Sequence, residues 1–169
     1  MGDNRNFLPG AERVRGTFAA LAAVGLLASP LAARDSLGIF GSWGAFRDAN
    51  IPRCYAIAQA SEGAGYFSVG TWPLRKIRGQ VHVRLSASPM QGSAVSLSLA
   101  RRRFPLQSRA NNAWAADPAM DAAIVAAMRS ATALTVSFRD AQGKRVRDTY
   151  QLLGVASALD AATVACARR

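Results

Sequence analysis

Residues 132–152 read TALTVSFRDAQGKRVRDTYQL, and this stretch predicts the fold of the chain. In its first half, Leu134, Val136 and Phe138 alternate with polar or small residues, which is the period of a half-buried β-strand. The DAQG segment that follows has turn chemistry, and a further strand is predicted around Lys144 to Leu152. The stretch therefore predicts an antiparallel hairpin with one face on the core.

The same period of two recurs elsewhere in the chain. Gln80 to Leu85 and Ser93 to Leu99 alternate polar with apolar residues, so both are predicted to be half-buried strands. Gly38 to Phe46 and Arg53 to Gln59 are rich in aromatic and apolar residues and are also predicted to be strands, separated by the DANIP break. Antiparallel strands therefore dominate the prediction.

Two segments change to the helical period. The first covers about residues 117–130, with Asp117 as a cap and Pro118 at the first helical position. The second covers about residues 155–166 and places Cys166 on its buried face. The predicted fold class is mainly β, an antiparallel β-sandwich or compact barrel with two short helices.

Residues 1–33 have the order of an export signal. Arginines precede an apolar run, Phe18 to Ala28, and the small-residue segment SPLAA follows. The run is about half the roughly 20 apolar residues that a membrane span needs, so an uncleaved anchor is the weaker alternative. We expect cleavage after Ala33 and a periplasmic or secreted protein with a single domain, residues 34–169.

The chain has two cysteines, Cys54 and Cys166. In an oxidising compartment an even cysteine count usually means a disulfide, so these two are predicted to pair, with separate buried thiols as the alternative. One histidine and no close cysteine spacing cannot supply the usual zinc ligands, and neither a metal nor a cofactor is expected.

The charge is strongly positive, with a formal net charge of +11 that is carried almost entirely by arginine. In an exported protein, such a charge favours binding to anionic lipid headgroups, lipopolysaccharide, acidic polymers or an acidic partner protein over binding to nucleic acid. The basic residues are scattered along the sequence, and only Arg101-Arg102-Arg103 form a cluster, which is the candidate anion-binding site. If Leu99 and Phe104 lie on neighbouring strands, the three arginines project together from a hairpin tip. The alternative is an ordinary solvated surface.

Other candidate residues have structural explanations. His82 lies on the solvent side of its predicted strand, and Ser96 and Ser98 lack the Gly-x-Ser-x-Gly elbow of a nucleophile, so no catalytic residue is assigned. Trp43 and Trp114 are predicted to be core aromatics.

Asp148 shares the inward parity of its strand with Tyr150, and both are assigned structural roles. A buried carboxylate without a partner is costly, so an arginine or a backbone amide is expected to satisfy Asp148.

Several short segments, taken in order, resemble the invasion-associated locus B family of exported alphaproteobacterial proteins. They are Cys54-Tyr55-Ala56-Ile57, Ala113-Trp114-Ala115, Ala126-Ala127-Met128-Arg129, Leu134 to Phe138, Asp148 to Gly154, and Ala158-Leu159 with Cys166. The resemblance implies an exported, periplasmic, β-rich domain associated with envelope function or host-cell invasion, without an established reaction.

The sequence thus predicts a non-enzymatic envelope or interaction domain whose partner is an envelope or host protein. A cationic binder of anionic envelope ligands, such as lipid headgroups or lipopolysaccharide, is the alternative. An unrecognised hydrolase is the least favoured class, and no nucleic-acid partner is expected.

Overall fold

The structure, a computed structural model, describes residues 34–48 and 50–167; the predicted signal segment 1–33 lies outside them. The elements in chain order are β1 (Arg34–Phe40), β2 (Trp43–Asp48), β3 (Arg53–Gln59), β4 (Tyr66–Trp72), a 3-10 turn (Pro73–Arg75), β5 (Ile77–Arg84), β6 (Val95–Leu99), β7 (Arg102–Arg109), β8 (Asn112–Trp114), α1 (Pro118–Met128), β9 (Ala133–Arg139), β10 (Arg145–Gln151) and α2 (Val155–Ala167).

The ten strands form one curled sheet in the order β1-β2-β3-β4-β5-β8-β7-β6-β9-β10. Each pair of neighbouring strands is antiparallel. The mainly antiparallel β fold with two helices is therefore confirmed, and a single curled sheet takes the place of two stacked sheets. The last strand meets the turn between β1 and β2, where Ser42 N donates to Leu153 O at 3.0 Å.

The hairpin predicted from residues 132–152 is confirmed as β9 and β10, paired from Arg139 and Arg145 onward. The segment predicted as one strand from Gly38 to Phe46 is instead the β1–β2 hairpin. Its turn contains Gly41, whose φ is +56°. A Cβ on Gly41 would lie 2.5 Å from Leu153 O, so the close approach of β10 requires glycine there.

The core contains one chain of aromatic contacts. The rings of Trp43 and Phe67 are 6.2 Å apart, and those of Phe67 and Tyr150 are 5.6 Å apart, both in edge-to-face geometry. Trp43 is fully buried, as predicted. Trp114 is only half-buried, and its indole NH donates to the Gln107 side chain on the outer face of the sheet. The core prediction for Trp114 is therefore wrong, because the alternation of β8 turns its neighbouring alanines inward.

The two helices cover different parts of the sheet. α1 packs on β5 and β6, and the Asp117 carboxylate caps it by accepting a hydrogen bond from Met120 N at 2.8 Å. α2 packs on β1 to β4, where the predicted disulfide joins Cys54 to Cys166 with a Cα–Cα distance of 5.8 Å. Neither helix in the described ranges has the length and apolar character needed to cross a membrane.

Candidate functional site

A long segment in the middle of the chain carries positive charge without any acid. Residues 63–116, which form β4 to β8, contain no aspartate or glutamate and eight arginine or lysine residues. Six of the eight lie in or beside two turns, and we call these six residues the basic end: Arg75, Lys76, Arg78, Arg101, Arg102 and Arg103. The lack of acids across this segment is a sequence signal that points to the site.

The sheet places both turns at the same end. His82 of β5 and Gln107 of β7 both pair with Trp114 of β8, and both pairings are antiparallel. β5 and β7 therefore run in the same direction, with β8 between them. Each begins five residues before its pairing with Trp114, at Ile77 and Arg102 respectively, so the turns that precede them lie at matching heights. Strand pairing thus brings together cations that are distant in sequence.

The first turn is shaped by its backbone. Lys76 ends the 3-10 turn in a left-handed conformation, φ +56°, and its NH donates to Pro73 O at 3.0 Å. In the β4–β5 ladder, Gly70 pairs with Gln80 and Trp72 with Ile77, so two residues of β5 bulge opposite one of β4. Bulges of this kind re-aim a side chain. Arg78 lies in this bulge and lines the groove described below.

The second turn is shorter than predicted. Leu99 and Arg102 already pair, so only Ala100 and Arg101 lie in the turn itself. Arg102 and Arg103 are the first residues of β7 and therefore point to opposite faces. The Arg102 guanidinium lies 4.7 Å from the centre of the Phe104 ring. The three arginines share one end of the sheet but do not project together, because the hairpin turn has only two residues.

The basic end has no internal neutralisation in the described ranges. The described residues form three ion pairs, which join Arg47 to Asp35, Arg53 to Asp48, and Arg129 to Asp160. None of these pairs includes a cation of the basic end. Among the described residues, the charge of these six cations is thus not offset by an ion pair.

Two apolar side chains are exposed at the same end. Leu74, in the first turn, is 81% exposed, and Ile51, in the turn before β3, is 55% exposed. Cys54 at the start of β3 pairs with Thr71 near the end of β4, so the turn before β3 lies beside the turn after β4. Exposed apolar tips amid cations are typical of surfaces that contact lipid.

A groove of about 1020 Å³ opens next to the first turn, between α1, α2 and the inner face of β4 and β5. It is lined by Val69, Thr71, Pro73, Lys76, Arg78, Gly79, Ala122, Val125, Ala126, Arg129, Leu159, Ala162, Thr163, Cys166 and Ala167. The Arg129 guanidinium donates to the Asp160 carboxylate at 2.7 Å and links the two helices. Lys76 and Arg78 belong both to this groove and to the basic end.

The buried acid Asp148 lies apart from the basic end and satisfies a backbone amide. Asp148 accepts hydrogen bonds from Ser86 N at 3.0 Å and from the Ser86 hydroxyl, so a backbone amide is one of its partners. Burial, followed by the charge of Asp148, raises the pKa of Tyr150, whose hydroxyl has no hydrogen-bond partner in the described part of the chain. A Cβ on Gly65 would lie 3.0 Å from Asp148 Oδ2, so the β3–β4 turn closes over this cluster.

The histidine lies on the outer face of β5. His82 is half-buried, and its Nε2 is 3.1 Å from Asn112 Oδ1. Burial, as the main cause, lowers the pKa of His82. Its partner is an amide, and within residues 34–48 and 50–167 no carboxylate hydrogen-bonds to this imidazole to orient it as a general base.

Comparison with known proteins finds one family match and one structural relative. The model of the invasion associated locus B (IalB) protein family matches residues 94–163, which run from the start of β6 into α2. The crystal structure of invasion associated protein b from Bartonella henselae has the same fold, with a TM-score of 0.61 and 17% identity, over 78% of this chain and 98% of that one. No curated protein sequence matches the chain. The chain is therefore similar to the IalB family over residues 94–163, and it shares the fold of the Bartonella protein.

Proposed function

We propose that this protein is an exported, non-enzymatic domain of the bacterial envelope that binds an anionic lipid surface through its basic end. The observation that carries the proposal is the convergence of two basic turns, one before β5 and one before β7, at one end of the sheet. The leader order of residues 1–33 supports export, and the family description supports a role in contact with host cells.

The charges of the basic end suit phosphate groups. A guanidinium offers several donors in a planar fork that matches a phosphate, and five of the six cations are arginines. Each Lys or Arg near an anionic membrane contributes about 1 kcal/mol, an attraction that decays within a Debye length. Several cations together therefore give binding that is appreciable at low salt and weak at high salt.

The exposed tips add a component that salt does not screen. Full burial of a leucine or isoleucine side chain contributes about 1.5–3 kcal/mol. Leu74 and Ile51 can enter the headgroup region while the cations face the phosphates. This combination suits a lipid surface, which offers phosphate groups directly beside an apolar layer.

The buried polar groups support the non-enzymatic part of the proposal. The Ser86 hydroxyl bonds to a carboxylate beneath a closed turn, and His82 bonds to an amide on the other face. These groups therefore do not combine a nucleophile with a general base in one cleft.

Cosedimentation with vesicles tests the proposal. The exported protein is mixed with phosphatidylglycerol–phosphatidylcholine vesicles and with pure phosphatidylcholine vesicles at low and high salt. We expect binding to the anionic vesicles only, and replacement of Arg101, Arg102 and Arg103 by serine should weaken it by at least about tenfold at low salt.

The matched control removes three exposed arginines from elsewhere on the molecule. Arg109 ends β7 and Arg145 begins β10, which places both at the opposite end of the sheet, and Arg147 lies nearby. Replacement of these three arginines by serine should leave more vesicle binding than replacement of Arg101, Arg102 and Arg103. Equal losses in the two triple variants would show that net charge alone matters and would overturn the site. Equal sedimentation of the Arg101–Arg103 variant and the parent would also contradict it.

A further inference from the structure

We infer that the groove between α1 and α2 holds an acyl chain of an anionic amphiphile, whose acidic headgroup is held by Lys76 and Arg78. This inference rests on the proposed function for the source of the ligand, since the basic end would bring the groove to a lipid surface. The groove is built from the helices and the inner face of the sheet, and it shares only Lys76 and Arg78 with the basic end.

The groove offers apolar surface that the fold leaves open. Val69 on β4 and Leu159 on α2 lie at its floor and are nearly buried, and Val125 on α1 is partly exposed along its side. The volume of about 1020 Å³ is at the upper end of the range for sites that take small molecules. Each CH₂ group that a ligand transfers from water to such a surface contributes about 0.8 kcal/mol, which favours a long hydrocarbon.

Small residues create the space. Ala122 and Ala126 are the exposed groove-lining positions of α1, and Ala162 faces them from α2. Gly79 lies on the sheet between the helices, and a Cβ built there would meet no described atom within 4 Å. Larger side chains at these positions would occupy the volume, so the groove depends on them.

The mouth supplies charge for one acidic headgroup. Arg78 reaches the groove because of the bulge opposite Thr71, and Lys76 reaches it because its backbone is left-handed. Neither cation belongs to an ion pair of the described residues, whereas Arg129 is held by Asp160. The free charge of the groove therefore lies at the side next to the first turn.

The polar atoms of the lining favour a hydrocarbon over a peptide. The Thr71 hydroxyl accepts a hydrogen bond from Gly79 N, and the Thr163 hydroxyl donates to Leu159 O at 2.7 Å. An extended peptide would bring amide groups that need partners, and an unsatisfied buried amide costs about 1–3 kcal/mol. A chain of CH₂ groups with one acidic end has no such requirement.

A titration in solution tests the inference without a bilayer. The exported protein is titrated with cis-parinaric acid, a fluorescent fatty acid, below its micellar concentration. Lauric acid should displace the probe at least tenfold better than dodecanol, because only the acid meets Lys76 and Arg78. Serine at both of these positions should remove that preference.

Two phenylalanine variants of α1 locate the binding. Ala126→Phe places a ring in the groove and should weaken probe binding at least tenfold. Ala119→Phe adds the same ring at an exposed position of α1 outside the groove and should leave binding as in the parent. Equal binding by Ala126→Phe and the parent, or equal displacement by lauric acid and dodecanol, would overturn the inference.

Two variants distinguish a failure of the acyl-chain inference from a failure of the proposed vesicle binding. The Arg101–Arg103 serine variant should lose vesicle binding and keep probe binding, because these residues do not line the groove. Ala126→Phe should keep vesicle binding and lose the probe. Loss of both activities in either variant, with its fold intact, would contradict two separate sites.

Discussion

The two helices that border the groove are attached to the sheet by different means. α2 is fastened covalently, through the disulfide between Cys166 and Cys54 of β3. α1 is fastened by a hydrogen bond, in which Val81 N of β5 donates to the Asp121 carboxylate at 2.8 Å. β8 pairs only with residues 82–84 of β5, so this amide lies just beyond the end of its neighbouring strand. A helix side chain here replaces the missing strand.

This difference shows how one curled sheet carries two helices without a second sheet. The first four strands present a continuous inner face, and α2 needs only packing and one bridge there. Near α1, a short strand leaves a polar backbone group that must be satisfied before the helix can cover it. Different substitutions should therefore weaken the attachment of α1 and of α2, the two helices that border the groove.

The largest expected effect is on α2. Cys166→Ala removes a bridge between residues 112 apart in sequence, and loop-entropy estimates give a loss of about 4 kcal/mol in the free energy of unfolding. Chemical denaturation under oxidising conditions measures it. The parent under reducing conditions and the Cys54→Ala/Cys166→Ala double variant are the controls and should unfold at similar denaturant concentrations. Equal midpoints for Cys166→Ala and the oxidised parent would show that packing alone holds α2.

The next effect is on α1. Asp121→Ala leaves the Val81 amide without its acceptor, and a buried unsatisfied amide costs about 1–3 kcal/mol. Urea unfolding measures this loss. Asp121→Asn keeps an acceptor oxygen at the same place and should lose less. If alanine and asparagine were equivalent, the hydrogen bond to β5 would not be what attaches α1.

The pH dependence of stability also distinguishes α1. Burial, the largest cause, raises the pKa of Asp121 above its ordinary value of 3.8, so the folded protein binds this proton more tightly than the unfolded chain. The contribution of protonated Asp121 to the free energy of unfolding is therefore fully present below pH 3.8. It declines as the pH rises through the raised pKa of Asp121 in the folded protein. The stability of the parent relative to Asp121→Asn should fall over this window. A constant difference between the two proteins would contradict the assignment.

The smallest effect concerns the contact between the helices. The hydrogen bond from Arg129 and its charge lower the pKa of Asp160 in the folded protein. The pair therefore stabilises the fold when the pH is above the ordinary carboxyl pKa of 3.8, and this stabilisation is lost as the pH falls through the lowered pKa of the folded protein. Both side chains are exposed, which limits the contribution to about 0.5 kcal/mol. Asp160→Asn should thus lower the unfolding midpoint slightly at neutral pH and not at all in strong acid. A loss as large as that of Asp121→Ala would show that the helices support each other.

The local elements and the disulfide can be predicted from the amino-acid sequence alone. The alternation in residues 132–152 and the cap at Asp117 are local signals, because the period of side-chain burial follows from the backbone geometry of a strand or helix. The cysteine pair was also predictable, since a chain with only two cysteines offers one intramolecular pairing. The disulfide in turn predicted where α2 would dock.

How the elements meet depends on contacts between residues that are distant in sequence. β4 and β8 were not predicted, and β8 is too short for its alternation to be recognised, which is why Trp114 was assigned to the core. The order β5-β8-β7 brings Lys76 and Arg101 to one end of the sheet, and the space between α1 and α2 becomes a groove. Strand order depends on pairings between distant residues, and the periodicity of a single strand carries no information about its neighbour. The sequence therefore supplied the charges and the small residues of the site, and the folding of the sheet determined where they converge.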